Sequence, residues 1–401
     1  MLQGVRVIEL ATVIAAPTCA ALLCDMGAEV IKIEVPEGDS FRYLGVNPKT
    51  KVNGITHEKW GIGFEQANRG KKSVVLQLKS VAGKENLLAL LGTADVFITN
   101  VRPKAIEKLN LSYSRLKVMF PALIYGHLTA WGLGGPEEDD PGYDAGAFWA
   151  ASGYMKYATP NDLPSTPCPR FVGGSGDQNT CMHLLAGILG ALYYRKNTGR
   201  GQFVEATLYR AGVWTMAHPL STALAVDHHR PGQRLPAPEQ RDFHTPTFNA
   251  YPCKDGRWVQ LLGLEMPRHI ESLLKAVDPT GSIRNQRPFK GTTTNELCSV
   301  IRSTQESRHK FVQLLCDIFR KKNVDEWLLI LRKGEVWHKK VMDYTEVIHD
   351  KNALALGVFT DVGASHKIVE FPIQFSEEQP KAVGRAPRLG SPAAAWRRGG
   401  M

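Results

Sequence analysis

The sequence lacks any long uninterrupted apolar stretch and any closely paired cysteines. Its longest apolar runs are broken by glycine, proline or charge, so none of them is suited to span a bilayer. No basic segment followed by an apolar stretch precedes the first predicted strand, near Gly4, so we expect no secretion signal. The seven cysteines are scattered without a CxxC pair, which argues against a disulfide framework or a zinc site. We therefore expect a cytoplasmic protein with no membrane partner.

Acidic residues are outnumbered, with 39 Asp and Glu against 49 Lys and Arg and a net charge of +10. Nucleic acid as a partner would call for a clustered basic stripe with interleaved aromatics or a known binding module, and the sequence contains neither. The excess of basic residues is then either spread over solvated faces or used by a small anionic ligand such as a polyphosphate.

Strand and helix patterns alternate along the first half of the chain. The β-type run Val5–Leu10 is followed by a helix that Pro17 opens and Gly27 stops, and then by a second run, Glu29–Glu34. Alternation of this kind predicts a parallel sheet covered by helices. We expect an α/β protein with an open, mostly parallel, Rossmann-like sheet. Further strands are predicted at residues 74–78, 94–99, 123–129 and 203–207.

The 401 residues, of which 43% are hydrophobic, are enough for two domains. The composition changes to histidine, proline and glycine after Ala225, which is typical of a linker. We therefore predict a large α/β domain at 1–225, a linker with a small α+β domain at 226–330, and a C-terminal segment at 331–401 that returns to the large domain.

A nicotinamide or flavin enzyme is one alternative for such a βαβ unit. Glu34, at the end of the second strand, stands where an acidic residue would hold a ribose. The turn between Leu10 and Pro17 has no glycine, however, so the pyrophosphate-binding Gly-x-Gly-x-x-Gly motif is missing. We reject this alternative.

A glycine-rich stretch places the acidic residue Asp177 directly ahead of an apolar helix that is predicted to start at Gln178. Gly173, Gly174 and Gly176 permit positive φ values and the close approach of another group. From this local pattern, Asp177 is either the N-cap of the helix or a reactive carboxylate, and the pattern leaves both open.

Several segments across about residues 1 to 390 resemble family III coenzyme A transferases, which include formyl-CoA, carnitine and aryl-lactate CoA-transferases. The resemblance is most specific around Asp177. The segments that carry it are Gly4 to Leu10, Gly27 to Glu34, Asn100 to Pro103, Gly142-Tyr143-Asp144, Gly176-Asp177 with Met182-His183-Leu184, Lys196 to Gln202, and Gly384 to Gly390.

The resemblance implies that Asp177 is the nucleophile, with Tyr143 beside it. It implies coenzyme A as substrate and carrier, acyl-CoA and carboxylic acid substrates, an interlocked homodimer, and no metal or redox cofactor. One departure is Val101, which stands where the family usually has a phenylalanine. The coenzyme A-binding residues that the resemblance implies are Ile14, Ala15, Lys71, Lys72, Leu76, Lys79, Asn100, Val101, Arg102, Lys108, Gly142 and Asp144.

Two alternatives share this resemblance. The related α-methylacyl-CoA racemases have a histidine at the position of Tyr143, and it works with the aspartate as an acid–base pair. A phenol with a pKa of about 10 is a poor base at neutral pH, so Tyr143 favours a transferase over a 2-methylacyl-CoA racemase or epimerase. The second alternative is a non-catalytic coenzyme A-binding or scaffold protein.

Overall fold

The structure of the protein, a computed structural model, describes residues 1–44, 61–158, 173–233 and 245–390. These residues form two compact units. The larger unit comprises the described residues of Met1–Lys156, Cys168–Gln233 and Lys351–Met401, and the smaller unit comprises those of Tyr157–Pro167 and Arg234–Asp350.

A six-stranded sheet forms the centre of the larger unit, and all of its strand pairs are parallel. The predicted α/β fold is thereby confirmed. The strand order is β3-β2-β1-β4-β5-β6, so the order reverses between β1 and β4. Ligands of open α/β sheets bind outside the carboxyl ends of the strands at such a reversal. The strands are β1 (Arg6–Leu10), β2 (Glu29–Glu34), β3 (Lys72–Val75), β4 (Val96–Thr99), β5 (Ile124–Thr129) and β6 (Phe203–Thr207).

Helices cover both faces of this sheet. Two helices follow β6, and they are separated at Met216. Pro219 has no N–H to donate and so suits the first turn of a new helix. The helices up to this point are α1 (Ala15–Asp25), α2 (Ile62–Asn68), α3 (Val81–Leu91), α4 (Pro103–Leu109), α5 (Tyr113–Met119), α6 (Tyr154–Tyr157), α7 (Ser175–Thr198), α8 (Leu208–Thr215) and α9 (Ala217–His229).

The sheet is buried on both sides, as the run of apolar residues in its strands requires. Val7 of β1 belongs to a cluster with Leu184 and Ile188 of α7, whereas the next residue, Ile8, belongs to a cluster with Leu87 of α3 on the opposite face. Helix α7 is therefore fixed against one face of the sheet by its own apolar side chains.

Glycines allow α7 to lie close to the sheet. A Cβ atom on Gly126 of β5 would lie 3.2 Å from Cδ1 of Ile188, and a Cβ atom on Gly187 of α7 would lie 2.5 Å from Cγ1 of Val204. Any larger residue at Gly187 would push the helix away from β6. The first turn of α7 is consequently held at a fixed height above the carboxyl ends of the strands.

The smaller unit has its own apolar core, which includes Phe311, Phe319 and Trp327. Its three-stranded sheet is antiparallel, in agreement with the predicted α+β class. Its elements are β7 (Ala250–Pro252), β8 (Trp258–Leu261), β9 (His338–Lys340), α10 (Met266–Val277), α11 (Thr294–Ser303), α12 (Gln305–Phe319), α13 (Val324–Lys333) and α14 (Tyr344–Val347).

The last described segment belongs to the larger unit and contains α15 (Lys351–Ala355), β10 (Phe359–Thr360) and β11 (Ile368–Val369). The amide of Ala386 donates to Oε1 of Glu65 at 2.6 Å, and Arg42 donates to the carbonyl of Pro387 at 2.9 Å. Across the described parts of the chain, no helix has the length and apolar content that a membrane crossing requires.

Leu184 is fully buried on α7, so its truncation tests whether this helix anchors the larger unit. Leu184→Ala should lower the free energy of unfolding by about 2–5 kcal/mol, because the lost methyl groups leave a cavity in a packed core. The loss can be measured by urea unfolding monitored in the far ultraviolet.

Leu354→Ala is the matched control, because the Leu354 side chain on α15 is 54% exposed. Its effect should stay within about 0.5 kcal/mol. Equal losses in the two variants would contradict the assignment of α7 to the core.

Candidate active site

A cavity of about 370 Å³ lies where the strand order reverses, at the carboxyl ends of β1 and β4. The loop after β1 supplies Thr12 to Ala15, and the loop after β4 supplies Asn100 and Arg102. The remaining lining comes from the end of β5, the segment that follows it, the first turn of α7, and α8. It includes Thr129, Glu138, Asp140, Gly142, Tyr143, Asp177 and Leu208.

Asp177 is the third residue of α7, which begins at Ser175. The N-cap is Gly174, whose φ of 79° is a left-handed value that glycine adopts without strain. The predicted helix start at Gln178 was therefore wrong by about one turn, and the N-cap interpretation of Asp177 was wrong as well. Gly174 ends the preceding turn and is also the N-cap of α7. The sequence pattern did not indicate which of the three glycines would be the N-cap.

Phe148 holds the first turn of α7 from the side. A Cβ atom on Gly176 would lie 2.6 Å from Cγ of Phe148, so only glycine fits there. Phe148 lies in a π-helical segment, Ala145–Ala151, a rare conformation that often marks functional sites. This contact sets the position of Asp177, the next residue along α7.

Asp144 connects the Gly142-Tyr143-Asp144 motif to the start of α7. Its side chain is buried, and its Oδ2 atom accepts a hydrogen bond from the amide of Gly174 at 2.9 Å. Asp144 therefore caps the first turn of α7 and brings a second carboxylate near Asp177.

The Asp177 carboxyl group lies in an environment that disfavours its charge. Within the described parts of the chain, no backbone amide or side chain donates a hydrogen bond to it. Burial, together with the negative charge of Asp144, raises the pKa of Asp177 to about 7. A carboxyl with this pKa is about half ionised at neutral pH and is poorly solvated. Such a group is a candidate nucleophile or general base.

Tyr143 lines the same cavity as Asp177, with its side chain 72% exposed. Gly142, which precedes it, allows the chain to pass over the end of β5, because a Cβ atom there would lie 2.4 Å from Cβ of Ala130. The motif thus positions Tyr143 at the rim of the cavity rather than at its base.

The predicted coenzyme A-binding residues divide into those at this cavity and those elsewhere. Ile14, Ala15, Asn100, Arg102 and Gly142 line it, as Asp177 does. A neighbouring cavity of about 360 Å³, which shares Thr12 with the first, is lined by Lys79 and Val101.

Five of the predicted residues lie outside the linings of both cavities: Leu76, Lys108, Lys71, Lys72 and Asp144. Leu76 is buried in the core, and Lys108 is exposed on α4. Lys71 is buried, with its Nζ atom 2.6 Å from Oε2 of Glu9, and burial lowers its pKa to about 8 although Glu9 opposes this. Lys72 pairs with Glu29 at 2.6 Å.

The sequence interpretation missed several residues that line the cavity, among them Thr12, Val13 and Thr129. Each lies at or just after the end of β1 or β5, so the rule that ligands bind at the carboxyl ends of parallel strands could have found them. Glu138 and Asp140 also line the cavity and lie in an acidic loop at residues 137–140. That loop folds back on α4, where Lys104 Nζ lies 3.0 Å from Oδ2 of Asp139.

The loop after β4 is fixed by a buried histidine. Nε2 of His127 lies 2.9 Å from the carbonyl oxygen of Val101. Burial lowers the pKa of His127, so the neutral ring donates its Nε2–H to that carbonyl. The backbone between Asn100 and Arg102 is thereby held at the edge of both cavities.

A model of one protein family matches almost the whole chain. This family is described as CoA-transferase family III, and the match runs over residues 2–392.

The chain belongs to CoA-transferase family III.

Known relatives agree with this membership. The chain is 30% identical over 394 residues to (R)-2-hydroxy-4-methylpentanoate CoA-transferase of Clostridioides difficile, with 97% of this chain and 93% of that protein aligned. It is 30% identical over 398 residues to cinnamoyl-CoA:phenyllactate CoA-transferase of Clostridium sporogenes, with 97% and 90% aligned. The crystal structure of a CaiB/BaiF family protein from Brucella suis matches with a TM-score of 0.81 at 26% identity, covering 97% of this chain and 96% of that one.

The protein is thus an enzyme of the CoA-transferase type, and such enzymes use coenzyme A thioesters as substrates. Over residues 1–44, 61–158, 173–233 and 245–390, no three His, Cys, Asp or Glu side chains are grouped so that they could hold a metal ion. A larger cavity of about 1120 Å³ lies in the smaller unit, lined by residues such as Trp258 and Lys310. Its lining does not include Asp177, and the candidate site of this family III CoA-transferase is the cavity at the strand reversal.

The raised pKa of Asp177 has a consequence for stability that depends on pH. Between the ordinary value of 3.8 and the folded value of about 7, the native state holds a proton that the unfolded chain has released. The free energy of unfolding therefore falls as the pH rises through this window and stays lowered above it. Asp177→Asn, which has no carboxyl to ionise, should be more stable than the wild type by roughly 4 kcal/mol at pH 8 and by much less at pH 4.

Urea unfolding of both proteins at the two pH values measures this difference. A stability difference that is the same at pH 4 and pH 8 would show that Asp177 titrates normally in the folded protein.

Proposed function

We propose that this enzyme moves coenzyme A from an acyl-CoA to a carboxylic acid, with Asp177 as a covalent nucleophile. The observation that carries the proposal is the environment of Asp177: a poorly solvated carboxyl at the start of a long helix, in a cavity at the strand reversal. The family membership supports the reaction class, and the geometry supports the choice of Asp177 as the nucleophile.

In the first half of the reaction, the ionised Asp177 carboxylate attacks the thioester carbonyl. A carbon–oxygen bond forms, the carbon–sulfur bond breaks, and coenzyme A leaves as the thiolate. The product is a mixed anhydride between Asp177 and the donor acyl group. The thiolate then attacks the aspartyl carbonyl, which releases the donor acid and leaves an aspartyl thioester.

The second half repeats these steps with the acceptor. The acceptor carboxylate attacks the aspartyl thioester, which gives a second anhydride and frees the thiolate again. Attack of the thiolate on the acceptor acyl carbon forms the new acyl-CoA and regenerates the carboxylate of Asp177. No proton has to be stored between these steps, because each nucleophile and each leaving group is an anion.

Two features of the site support this chemistry. Partial burial removes water from the carboxylate, and a less solvated anion is a better nucleophile. The first turn of α7 carries backbone N–H groups without intrahelical acceptors, and it forms the positive end of a 24-residue helix. This end favours the negative charge that develops on the attacked carbonyl oxygen.

We propose that coenzyme A occupies the two neighbouring cavities together. The cavity at Val101 and Lys79 would take the adenine end, and the cavity at Asp177 would take the thioester end. Thr12 lines both cavities and lies between the two ends. Arg102 lines the cavity at Asp177, and Lys108 precedes Leu109, which lines the neighbouring cavity; both are exposed cations that would bind phosphate groups. The buried ion pair of Lys71 argues for a structural role of that residue.

For the acceptor, we propose a 2-hydroxy carboxylic acid. Two relatives that cover nearly the whole chain are named for 2-hydroxy-4-methylpentanoate and phenyllactate, and both of these acids carry a 2-hydroxyl group. A third relative, from Haloarcula hispanica, is named for succinyl-CoA and mesaconate, which has no hydroxyl group. Mesaconate is therefore the informative competitor in an assay of acceptors.

We further propose that the enzyme is a homodimer in the cytoplasm. Trp214 of α8 and Leu224 of α9 are large apolar side chains that are mostly exposed, and a second copy of the chain would cover them. The six cysteines of the described segments form no disulfide with one another, which suits a reducing compartment. Light scattering coupled to gel filtration gives the molar mass directly.

Asp177→Asn should abolish coenzyme A transfer, because an amide cannot form the anhydride. Transfer is measured by chromatography, with cinnamoyl-CoA and succinyl-CoA as donors and 2-hydroxy-4-methylpentanoate, phenyllactate and mesaconate as acceptors. Hydroxylamine added during turnover should convert Asp177 of the wild type to a hydroxamate that peptide mass mapping detects.

Asp317→Asn is the matched control, because Asp317 is exposed on α12. This variant should transfer coenzyme A at the rate of the wild type. Full activity of Asp177→Asn would overturn the mechanism. Deuterium exchange at the α-carbon of 2-methylacyl-CoA in heavy water, without transfer, would instead indicate the racemase reaction. Coenzyme A binding without either reaction would indicate a non-catalytic protein.

Asp144→Asn tests the electrostatic coupling to Asp177. The amide oxygen can still accept the hydrogen bond from Gly174, but the negative charge that helps to raise the pKa of Asp177 is lost. The nucleophile must be ionised, so kcat/KM of the wild type should rise with pH through about 7. In Asp144→Asn, this rise should move to lower pH by roughly one unit. An unchanged pH profile would show that Asp144 does not control the charge of Asp177.

A further inference from the structure

The loop between β1 and α1 contains a backbone conformation that is unusual for its residue. Val13 has a φ of 69°, in the left-handed region, where a β-branched residue is strained. Strain of this kind persists only where the surroundings impose it, and it is concentrated at functional sites. The contacts that impose it are therefore informative about the cavity that Val13 lines.

Two side chains hold this loop from different directions. Oδ1 of Asp39 accepts hydrogen bonds from the amides of Val13, at 3.2 Å, and Phe41, at 2.9 Å. Asn100 holds the adjacent residue, since its Oδ1 accepts from the amide of Thr12 at 3.0 Å and its Nδ2 donates to the carbonyl of Thr12 at 2.7 Å. The two peptide groups that lead into the strained residue, Ala11–Thr12 and Thr12–Val13, are thus fixed by side chains from other parts of the chain.

Asp39 is itself fixed by a buried network of charges. Its Oδ2 lies 3.0 Å from Nζ of Lys32, which also pairs with Oε1 of Glu9 at 2.8 Å and donates to the carbonyl of Ala11 at 2.8 Å. Lys71 pairs with the other oxygen of Glu9. Two carboxylates and two ammonium groups therefore balance one another under the loop, and all four side chains are buried.

The loop lies opposite the first turn of α7. A Cβ atom on Gly174 would lie 3.3 Å from Cδ1 of Ile14, the residue that follows Val13. Val13, Ile14 and Ala15 line the same cavity as Asp177. A change in the backbone at Val13 would move Ile14 and Ala15 relative to the Asp177 carboxyl.

We propose that Asp39 and Asn100 are positioning residues of the transfer site, which hold the β1–α1 loop in its strained form so that Ile14 and Ala15 face Asp177. This rests on the proposed transfer reaction at Asp177. The resemblance implied that Asn100 contacts coenzyme A. In the structure, its side-chain oxygen and nitrogen both form hydrogen bonds with Thr12 of the loop.

An aspartate is required at position 39, because one of its carboxylate oxygens accepts hydrogen bonds while the other forms an ion pair. One oxygen faces the Lys32 ammonium group and the other faces two backbone amides. Asparagine has one acceptor oxygen and one donor amino group. Asp39→Asn must therefore give up either the ion pair with Lys32 or the hydrogen bonds to the loop, although the shape of the side chain is almost unchanged.

The test is a double-mutant cycle of Asp39→Asn with Val13→Gly. Glycine adopts a φ of 69° without strain, so the loop of the Val13→Gly variant needs less support. Asp39→Asn alone should lower kcat/KM for the acyl-CoA by about tenfold or more, because small displacements in a reacting site are costly. In the Val13→Gly background, the same substitution should cost less than about threefold.

Amide hydrogen exchange gives a readout that does not depend on turnover. Asp39→Asn should speed exchange at residues 11–16, and Asp39→Asn with Val13→Gly should restore part of the protection. Asn100→Ala, a change at a partly exposed side chain, should speed exchange in the same segment and serves as the test if Asp39→Asn does not fold. If the wild type showed no transfer activity, the proposed function would be wrong. The hydrogen-exchange data would still test whether Asp39 and Asn100 hold the loop.

Asp278→Asn is the matched control in the smaller unit. Asp278 is also buried and accepts from the amides of Ser282 and Ile283 with its two oxygens, at 3.0 Å and 2.8 Å. Asp278→Asn should speed hydrogen exchange at those amides and leave hydrogen exchange at residues 11–16 unchanged. Faster exchange of residues 11–16 in Asp278→Asn, unchanged exchange in Asp39→Asn, or equal losses of kcat/KM in both Val13 backgrounds would each overturn the proposal.

Discussion

The position of the first turn of α7 over the strand reversal is the constraint on which the site depends. Three contacts fix it: the hydrogen bond from Gly174 to Asp144, the packing of Gly176 on Phe148, and the close approach of Ile14 to Gly174. A Cβ atom on Gly176 would lie 2.6 Å from Cγ of Phe148, and Gly174 has a left-handed φ of 79°, so both positions favour glycine. Together they keep the Asp177 carboxyl partly buried without a hydrogen-bond donor from the described residues. The elevated pKa of Asp177 is a direct result of this packing.

A second constraint lies on the other side of the cavity. Buried charges are costly unless they are paired, and Glu9, Lys32, Asp39 and Lys71 satisfy one another in a group of balanced charge. Removing one partner would leave an uncompensated buried charge, so this network resists local change. Rigidity of this kind suits a reaction in which a carboxylate, a thioester and a thiolate meet repeatedly in one cavity.

Much of the fold could be predicted from sequence because its signals are local. The alternation of β-type runs with helices predicted a parallel sheet, and apolar residues on both faces of strands such as β1 agree with burial between two helical layers. Element ends were less predictable. The start of α7 and the break between α8 and α9 depend on single residues, Gly174 and Pro219, whose effect on the backbone is decided by what packs beside them.

The sequence by itself determined the class of fold, the family resemblance and the acidic residue around which the site is built. It could do so because strand periodicity, glycine spacing and family motifs are properties of short stretches of chain. The tertiary structure alone decided that Asp144 caps α7, that Lys71 turns inward to Glu9, and that Asp39 and Asn100 meet the β1–α1 loop. These contacts join residues from about 26 to 88 positions apart, and no local pattern encodes which distant side chain will satisfy a given backbone amide or buried charge.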